Sequence, residues 1–508
     1  MARLSVVFAA AAVVVGTAAA ARVATATALP PSVAREEAAL AESVRESRLI
    51  VLSKSCDAAC MEGVRARLAA RCDAVRLLPN IHMLSARCAE TPDAAAAGPP
   101  PPSVEDLLAV LPEVEATVPD AVVSVPEGAT AGGAAAAAAP TTARQSGRTF
   151  WGLDRINQFS LPLDGDSSVE RCYPSRGAGV TVYVVDTGCT TTHPQFEGRA
   201  TTEAGPGSPF QSGDDDNSHG SHVAGTVGGR DTGVARGVTI KCIKVLNRRA
   251  VGSMTDIAAA FDAVAGAKVA DPSARIILSA SLGGPSRKGR PGVSGVAARR
   301  ASEAGVVVIV AAGNDGGDAC AVSPASEPSL ITVANAARDD SLARSSNRGR
   351  CVDVIAPGTR ILSVDGFSPS GGLKTFSGTS MATPHVAGVA ALIMGEDPNG
   401  GRLTTADVQA RMTAAAPQVG GYPMSYAGGD CSGGGPGASP APRPTPVSTP
   451  APIQEPTPAP TPTSPGPSDP EDCTPVWRRV CPKTSRWWQE ECSVMIVCAE
   501  TGLPWEWA

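Results

Sequence analysis

Between residues 151 and 430, short β-branched apolar runs alternate with longer helical patterns. The clearest apolar runs are residues 179–185, 240–246 and 305–310, and the longest helical pattern is residues 381–394. Alternation of this kind is typical of a parallel sheet that helices cover on both faces. The pattern therefore predicts a three-layer α/β domain with a mainly parallel central sheet.

A smaller pattern precedes it. Residues 46–126 contain apolar strand-like runs at 49–52 and 121–125, and helical patterns near 61–70 and 104–111. We expect a small α+β domain here. Residues 127–147 are mostly Ala, Gly and Thr without periodicity, which predicts an exposed connector open to proteolysis.

The first 21 residues resemble a secretory signal peptide. Arg3 is followed by an apolar run and then by small residues that end before Arg22. A membrane anchor is the alternative, but this Ala-rich run is short of the roughly 20 strongly apolar residues that a span needs. We therefore expect a secreted protein without a stable membrane anchor.

The last quarter of the chain changes composition twice. Residues 431–470 are rich in Pro, Ser, Thr and Gly, which predicts an extended linker. Residues 471–508 carry four cysteines and five of the six tryptophans. These tryptophans either stack on sugar rings, which would make the module bind cell-wall polysaccharide, or form its small core. Both interpretations stay open.

Charge and cysteine content narrow the possible functions. The 508 residues carry a formal net charge of -6 and no dense basic stripe, so nucleic acid is not an expected partner. The 14 cysteines fall into three even groups, which predicts disulfides within each segment of a secreted protein. None forms a CxxC pair, and a zinc site is not expected.

Three polar motifs interrupt the α/β pattern. They are VDTG at residues 185–188, SHGSHVAGT at 218–226 and GTSMATPHVAG at 378–388. They supply a carboxylate, an imidazole and a hydroxyl at Asp186, His219 and Ser380. A serine needs an adjacent base to act as a nucleophile, and that base needs a carboxylate to fix its tautomer.

Each residue also has a simpler interpretation. Asp186 or Ser380 could only cap the helix that follows it. His219 and His222 could bind a metal, but no third ligand lies nearby in the sequence. We interpret His219 as the base, His222 as packed behind it, and His193 and His385 as structural.

Together with SLGG at residues 281–284 and AAGN at 311–314, these motifs resemble the subtilisin-like serine proteases, and most of all their proteinase K-like branch. The resemblance covers residues 148–430. It implies a serine endopeptidase of broad specificity that cuts protein or peptide substrates through an acyl-enzyme and needs no cofactor for catalysis. The implied triad is Asp186, His219 and Ser380, with Asn314 and the Ser380 N–H as oxyanion donors.

The same resemblance implies a cleft in which substrate binds as an extended strand. Its two edges comprise Leu246, Ala250, Val251 and Gly252 on one side and Ser281, Leu282 and Gly283 on the other. The sequence departs from the family at residues 247–252, where Arg248 and Arg249 could favour acidic substrate side chains. Two solvated loop arginines are the alternative.

Further implications concern stability. A structural calcium ion would take the carbonyls of Pro328 and Leu330 and the carboxylate of Asp353, a donor set that suits a hard cation; Asp353 could instead belong to a simple turn. The family resemblance also implies a Cys320–Cys351 disulfide. Cys189 could pair with Cys242, which would leave Cys172 with Cys431.

Residues 46–126 resemble the inhibitory propeptides of this family. Such a segment would occupy the cleft of a zymogen until the chain is cut within 127–147, ahead of Trp151. Two other classes of function stay possible. The chain could be a non-catalytic binding protein that retains its propeptide, or the C-terminal module could have the main role.

Overall fold

The computed structural model describes residues 44, 47–69, 71–88, 104–125, 150–286, 292–414, 416–428, 475–480 and 493–498. The predicted signal peptide, the processing segment 127–147 and the linker 431–470 lie outside these residues. The chain divides into one unit that ends at Pro440 and a second that begins at Ala441. In the part of the chain that is described, no helix is long and apolar enough to cross a membrane.

The N-terminal domain is a four-stranded antiparallel sheet with two helices. Its strands are β1 (Ser47–Leu52), β2 (Cys72–Leu78), β3 (Met83–Cys88) and β4 (Val114–Pro119), in the order β2-β3-β1-β4. Its helices are α1 (Ala58–Leu68) and α2 (Val104–Ala109). The sequence pattern predicted both helices and β1 but missed β2, β3 and β4. A further short strand, β5 (Val122–Ser124), leaves this sheet and pairs elsewhere.

Residues 150–428 form the predicted α/β domain around a seven-stranded sheet. Its strands are β6 (Val180–Asp186), β7 (Ala200–Ala204), β8 (Thr239–Lys244), β10 (Arg275–Ala280), β12 (Val307–Ala311), β14 (Ile331–Ala336) and β15 (Val354–Pro357). All six neighbouring pairs are parallel, in the order β15-β14-β12-β10-β6-β8-β7. The shorter strands are β9 (Val251–Ser253), β11 (Gly284–Pro285), β13 (Val322–Ser323), β16 (Ile361–Val364), β17 (Leu373–Phe376), β18 (Gln418–Val419) and β19 (Tyr422–Pro423).

Helices cover both faces of this sheet. They are α3 (Trp151–Asn157), α4 (His219–Gly228), α5 (Met254–Ala270), α6 (Val293–Glu303), α7 (Thr379–Glu396) and α8 (Thr405–Ala414). Val182 and Val184 of β6 pack in one core cluster with α4 and α7, whereas Tyr183 and Val185 pack in the other with α5 and α6. Alternate side chains of a strand point to opposite faces, which gives the three layers.

The N-terminal domain rests on the α5–α6 side. Leu49 and Val51 of β1 share a core cluster with α5 and α6, while Ile50 and Leu52 belong to the domain's own core. The strand is therefore buried on both faces, once inside its own domain and once against the larger one.

In the second unit, β20 (Pro475–Val480) and β21 (Ser493–Cys498) form an antiparallel pair. The side chains of the C-terminal module lie outside the described residues. Binding of cell-wall polysaccharide therefore stays a prediction.

Candidate active site

Asp186 and His219 form a buried pair at the carboxyl end of the sheet. Asp186 is the last residue of β6, and His219 is the first of α4. His219 Nδ1 lies 2.8 Å from Asp186 Oδ1 and 3.0 Å from Oδ2. Because both side chains are almost fully buried, the carboxylate can fix which ring nitrogen carries the proton.

A second carboxylate holds the loop that leads to His219. Asp215 accepts hydrogen bonds from Thr187 Oγ1, from the Ser218 N–H and from the N–H and hydroxyl of Ser221. Ser218 itself has a left-handed backbone, with φ of 83°. Sequence analysis missed the role of Asp215, because an acidic residue in the DDDNSHG run carries no signal that distinguishes it from its neighbours.

The start of α4 also needs a glycine. A Cβ added at Gly220 would lie 2.1 Å from the carbonyl oxygen of Gly188, which no real contact permits. This close approach brings the beginning of α4 against the loop that follows β6. It is one physical reason for a glycine directly after His219.

Ser380 is the second residue of α7. Gly378, at φ of 149°, precedes the helix. The Ser380 hydroxyl donates to the carbonyl oxygen of Ser281 at 3.3 Å, while His219 Nε2 is buried without a hydrogen-bond partner among the described residues. The structure thus joins Asp186 to His219, but the serine hydroxyl is turned to Ser281.

Asn314 follows β12 and is held by the turn that begins α7. Its Oδ1 accepts from the Thr379 N–H at 2.8 Å and from the Thr379 hydroxyl at 3.0 Å. Since the carbonyl end of the amide faces Thr379, the Nδ2 end is directed away from it. A helix start adds main-chain N–H groups that have no acceptor within the helix, among them that of Ser380.

The predicted cleft edges flank a strand of the N-terminal domain. β5 pairs antiparallel with β9, with Val123 opposite Gly252. On its other side, Ser124 and Gly283 exchange both main-chain hydrogen bonds, at 3.5 and 3.2 Å. The Val125 N–H donates to the Ala250 carbonyl at 3.0 Å. The two edges and β5 form a three-stranded antiparallel arrangement.

Apolar side chains pack around this strand. Val123 and Val125 belong to the same buried cluster as Leu246, Ala250 and Leu282. Leu246 is fully buried when the strand is present. The predicted substrate-binding residues thus divide into main-chain partners and apolar neighbours of the bound strand.

Burial favours the neutral form of three other histidines. Burial lowers the pKa of His222 to about 3 and that of His385 to about 4, and it also lowers the pKa of His193. His222 Nε2 lies 3.0 Å from the Ile361 carbonyl, as a structural residue would. Phe376, a residue that sequence analysis missed, stacks on the His219 ring at 6.5 Å between centroids.

The candidate calcium ligands are two main-chain carbonyls and one carboxylate, and all of them are oxygen donors that suit a hard cation. Asp353 Oδ2 accepts from the Thr332 N–H and Oδ1 from Gln409 Nε2, at 2.8 and 2.9 Å. Leu330 is two residues from Thr332, and Pro328 lies in the same loop. Both donors to Asp353 are uncharged, and each oxygen keeps a second lone pair. Within the described residues, no group of three or more His, Cys, Asp or Glu could hold a metal ion.

Four disulfides are described. The structure contains the implied pair Cys320–Cys351 and the suggested pair Cys189–Cys242, and two further disulfides, Cys56–Cys60 and Cys72–Cys88, lie in the N-terminal domain. Cys172 is disulfide-bonded, but Cys431 lies outside the described residues.

Neither predicted specificity arginine can be assigned a substrate contact. Arg248 is half-buried and its carbonyl accepts from Asn217 Nδ2 at 2.8 Å, whereas Arg249 is exposed. A preference for acidic substrate side chains therefore stays a prediction.

Comparison with known proteins gives consistent results. The profile of the Subtilase family matches residues 177–435, half of the chain. An "Extracellular serine proteinase" from Thermus sp. (strain Rt41A) is 45% identical over 244 residues, which cover 48% of this chain and 56% of that protein. A "Subtilisin-like protease 6" from Trichophyton verrucosum (strain HKI 0517) is 45% identical over 257 residues, covering 49% and 59%. The alignments thus span less than two thirds of either relative.

A solved structure described as a cold adapted subtilisin-like serine proteinase is also similar. It is 38% identical, has a TM-score of 0.50, and covers 55% of this chain and 98% of its own. The similarity therefore includes nearly the whole of that chain.

Proposed function

Because the chain belongs to the subtilase family, we propose that it is a secreted serine endopeptidase, which hydrolyses peptide bonds through Asp186, His219 and Ser380. The observation that carries the proposal is the buried hydrogen bond between His219 Nδ1 and Asp186 Oδ1, at 2.8 Å. Ser380, the third proposed member, lies at the start of α7. The name of the Thermus relative supports an extracellular location.

The catalytic groups of the proposed reaction all belong to this chain. The Ser380 hydroxyl turns from the Ser281 carbonyl to His219 Nε2, passes its proton there and attacks the substrate carbonyl. Asp186 stabilises the imidazolium ion that results. The oxyanion accepts hydrogen bonds from Asn314 Nδ2 and the Ser380 N–H.

The tetrahedral intermediate then collapses, and His219 returns the proton to the departing amine. This leaves an ester between the substrate acyl group and Ser380. A water molecule gives a proton to His219 and attacks the ester; His219 then returns this proton to Ser380 Oγ as the ester bond breaks, which releases the acid and restores the serine.

We propose broad specificity, and the way in which the cleft contacts a strand supports it. β5 is held on both sides by main-chain hydrogen bonds to Ala250, Gly252 and Gly283, which are blind to side chains. We propose that a protein substrate binds in the same way. The apolar neighbours of β5 would add a preference for apolar residues at alternate positions.

We propose that residues 46–126 inhibit the enzyme until processing. Several polar contacts with the larger domain support this besides β5, among them the following three. The Asn80 N–H donates to Asp262 at 2.7 Å, the Thr255 N–H donates to Asp120 at 3.1 Å, and Arg300 pairs with Glu115 at 3.1 Å. Each joins the N-terminal domain to α5 or α6.

Calcium is proposed as a structural ion bound by Asp353 and the carbonyls of Pro328 and Leu330. The uncharged donors that orient the Asp353 carboxylate support this assignment, because they leave its negative charge without direct compensation.

The full-length precursor and its Ser380→Ala variant test the proposed function. Casein hydrolysis and removal of the N-terminal domain are expected from the wild type and not from Ser380→Ala. Ser377→Ala, which alters a nearby serine outside the proposed triad, is the matched control. A precursor that neither cleaves casein nor sheds its N-terminal domain would instead favour a non-catalytic binding protein.

A further inference from the structure

Lys244 is a buried cation beside the candidate active site, and the proposed reaction gives it no role. It is the last residue of β8 and lies directly opposite Asp186, the last residue of β6. Two residues earlier on each strand, Val184 and Cys242 share one core cluster. Because side chains alternate along a strand, Asp186 and Lys244 also lie on this face of the sheet. Only 4% of the Lys244 side chain is exposed.

All three protons of the Lys244 ammonium group have an acceptor. Nζ donates to the carbonyl oxygens of Thr187 and Leu246, each at 2.9 Å, and to Asp216 Oδ1 at 2.6 Å. Burial of a cation is costly unless hydrogen bonds and an opposite charge offset it. The three acceptors therefore determine where the ammonium group lies, and the ammonium group in turn fixes the distances between them.

The three acceptors belong to three different parts of the site. Thr187 directly follows the proposed acid, Asp216 lies three residues before the proposed base, and Leu246 begins the predicted cleft edge. These segments are remote from one another in sequence. The Lys244 ammonium group is thus a single point at which the segments of the acid, the base and the substrate cleft meet.

We propose that Lys244 is a positioning residue, which sets the acid, the base and the cleft edge relative to one another. Its ammonium group contacts main-chain carbonyls and Asp216 rather than reacting atoms, so it acts through the segments that it holds. This inference rests on the proposed protease function. A displacement of reacting groups by about 1 Å can lower a rate about 10²-fold, and loss of the ammonium group should have an effect of that order.

Lys244→Met in the full-length precursor tests this role, because methionine keeps an apolar stem and removes all three hydrogen bonds. We expect kcat of the processed enzyme on a chromogenic peptide to fall about 10²-fold. Active enzyme is counted by titration with a covalent serine inhibitor, so that misfolded molecules do not enter kcat. The matched control is Lys241→Met on the same strand, where the exposed Nζ lies 3.5 Å from the Tyr183 hydroxyl. A wild-type kcat for both variants would overturn the proposal.

Asp216 offers a second variant that leaves the buried side chain in place, since half of the Asp216 side chain is exposed. Asp216→Leu removes only the link between the ammonium group and the segment of the base. It should lower kcat about tenfold or more, the effect of one lost charge-assisted hydrogen bond, and leave KM nearly unchanged because Leu246 keeps its contact. Asp214→Leu, at an exposed neighbouring position, should keep both constants. The proposal is wrong if Asp216→Leu keeps them too.

Chemical rescue separates positioning by the ammonium group from a general effect on stability. Lys244→Ala leaves a space lined by the same three acceptors, and the exposed side of Asp216 connects it to solvent. Propylammonium, which has N–H donors, should restore part of the lost kcat, whereas tetramethylammonium has the same charge without N–H and should not. Equal recovery with both ions, or recovery with neither, would contradict the proposed role.

Casein hydrolysis by the processed wild-type enzyme distinguishes the two levels of failure. Ser380-dependent hydrolysis of casein together with an undiminished kcat of Lys244→Met would refute the role of Lys244 alone. A wild-type enzyme that cleaves no casein would refute the proposed function and this inference with it.

Discussion

At the residue scale, Asn314 shows how one side chain is oriented for a single task. Thr379 donates twice to its Oδ1, so the amide cannot flip without losing two hydrogen bonds. We expect Asn314→Ala to lower kcat by about 10²- to 10³-fold with little change in KM, as measured in subtilisin, from which this figure is taken. Steady-state kinetics on a chromogenic peptide would measure it. A loss below tenfold at an unchanged Tm would contradict the assignment.

Sequence analysis identified residues of the proposed triad because each belongs to a recognisable motif. Asp186, His219 and Ser380 stand in long, specific motifs. Asp215 and Phe376 do not, since their importance arises from contacts with residues that are remote in sequence or not distinctive. The hydroxyl of Ser380 was expected on His219 and lies on Ser281, because a rotamer depends on which acceptors the folded cleft offers.

At the scale of elements, Asp256 in the first turn of α5 forms an acidic pair with Asp120 of the N-terminal domain. Burial, and then the charge of Asp120, raise the pKa of Asp256 to about 7, while Arg76 and Ser253 lower it. Burial also raises the pKa of Asp120. A carboxyl whose pKa is raised on folding stabilises the fold at low pH, and this stability is lost as the pH rises from about 4 through 7.

We therefore expect the contact between the N-terminal domain and α5 to weaken between pH 5 and pH 8. In a Ser380→Ala precursor, which cannot process itself, Tm should fall by a few degrees over this range. Asp256→Asn in the same background should reduce the fall, whereas Asp214→Asn at an exposed site should not. Identical slopes for all three proteins would exclude the acidic pair as the cause.

The Cys72–Cys88 disulfide joins β2 to β3, the edge of the N-terminal sheet. A bridge that closes a loop of this length is expected to contribute about 3 kcal/mol, because it restricts the unfolded chain. Replacing both cysteines with alanine in the Ser380→Ala precursor should lower the free energy of unfolding by about 3 kcal/mol. Denaturant titration measures it, and an unchanged midpoint would contradict the expected contribution.

Elements were predictable where one periodicity dominates. The parallel strands are buried on both faces and appear in sequence as continuous β-branched runs. β2 and β3 were missed because charged residues interrupt their apolar pattern, among them Asp73 and Arg87, which are exposed, and Arg76, which is half-buried. Their apolar residues are divided between two cores, one of which exists only when the domains pack together.

At the scale of the whole molecule, the proposed calcium site ties the loop before β14 to α8. Asp353 accepts from Thr332 at the start of β14 and from Gln409 of α8, so a bound ion would add the Pro328 and Leu330 carbonyls to an existing connection. A ligand that binds only the folded state stabilises it by mass action. Removal of calcium with EGTA should therefore lower Tm of the Ser380→Ala precursor by several degrees.

Asp353→Asn should lower Tm in the presence of calcium and make EGTA nearly without effect. The exposed Asp339→Asn should keep the full response to EGTA, since among the described residues Asp339 accepts hydrogen bonds from Ser341 in its own turn and from no part of the proposed site. Burial raises the pKa of Asp353, so protons compete with calcium and the response should diminish as the pH falls. If EGTA destabilises Asp353→Asn as much as the parent, the ion is bound elsewhere and the assignment of Asp353 is wrong.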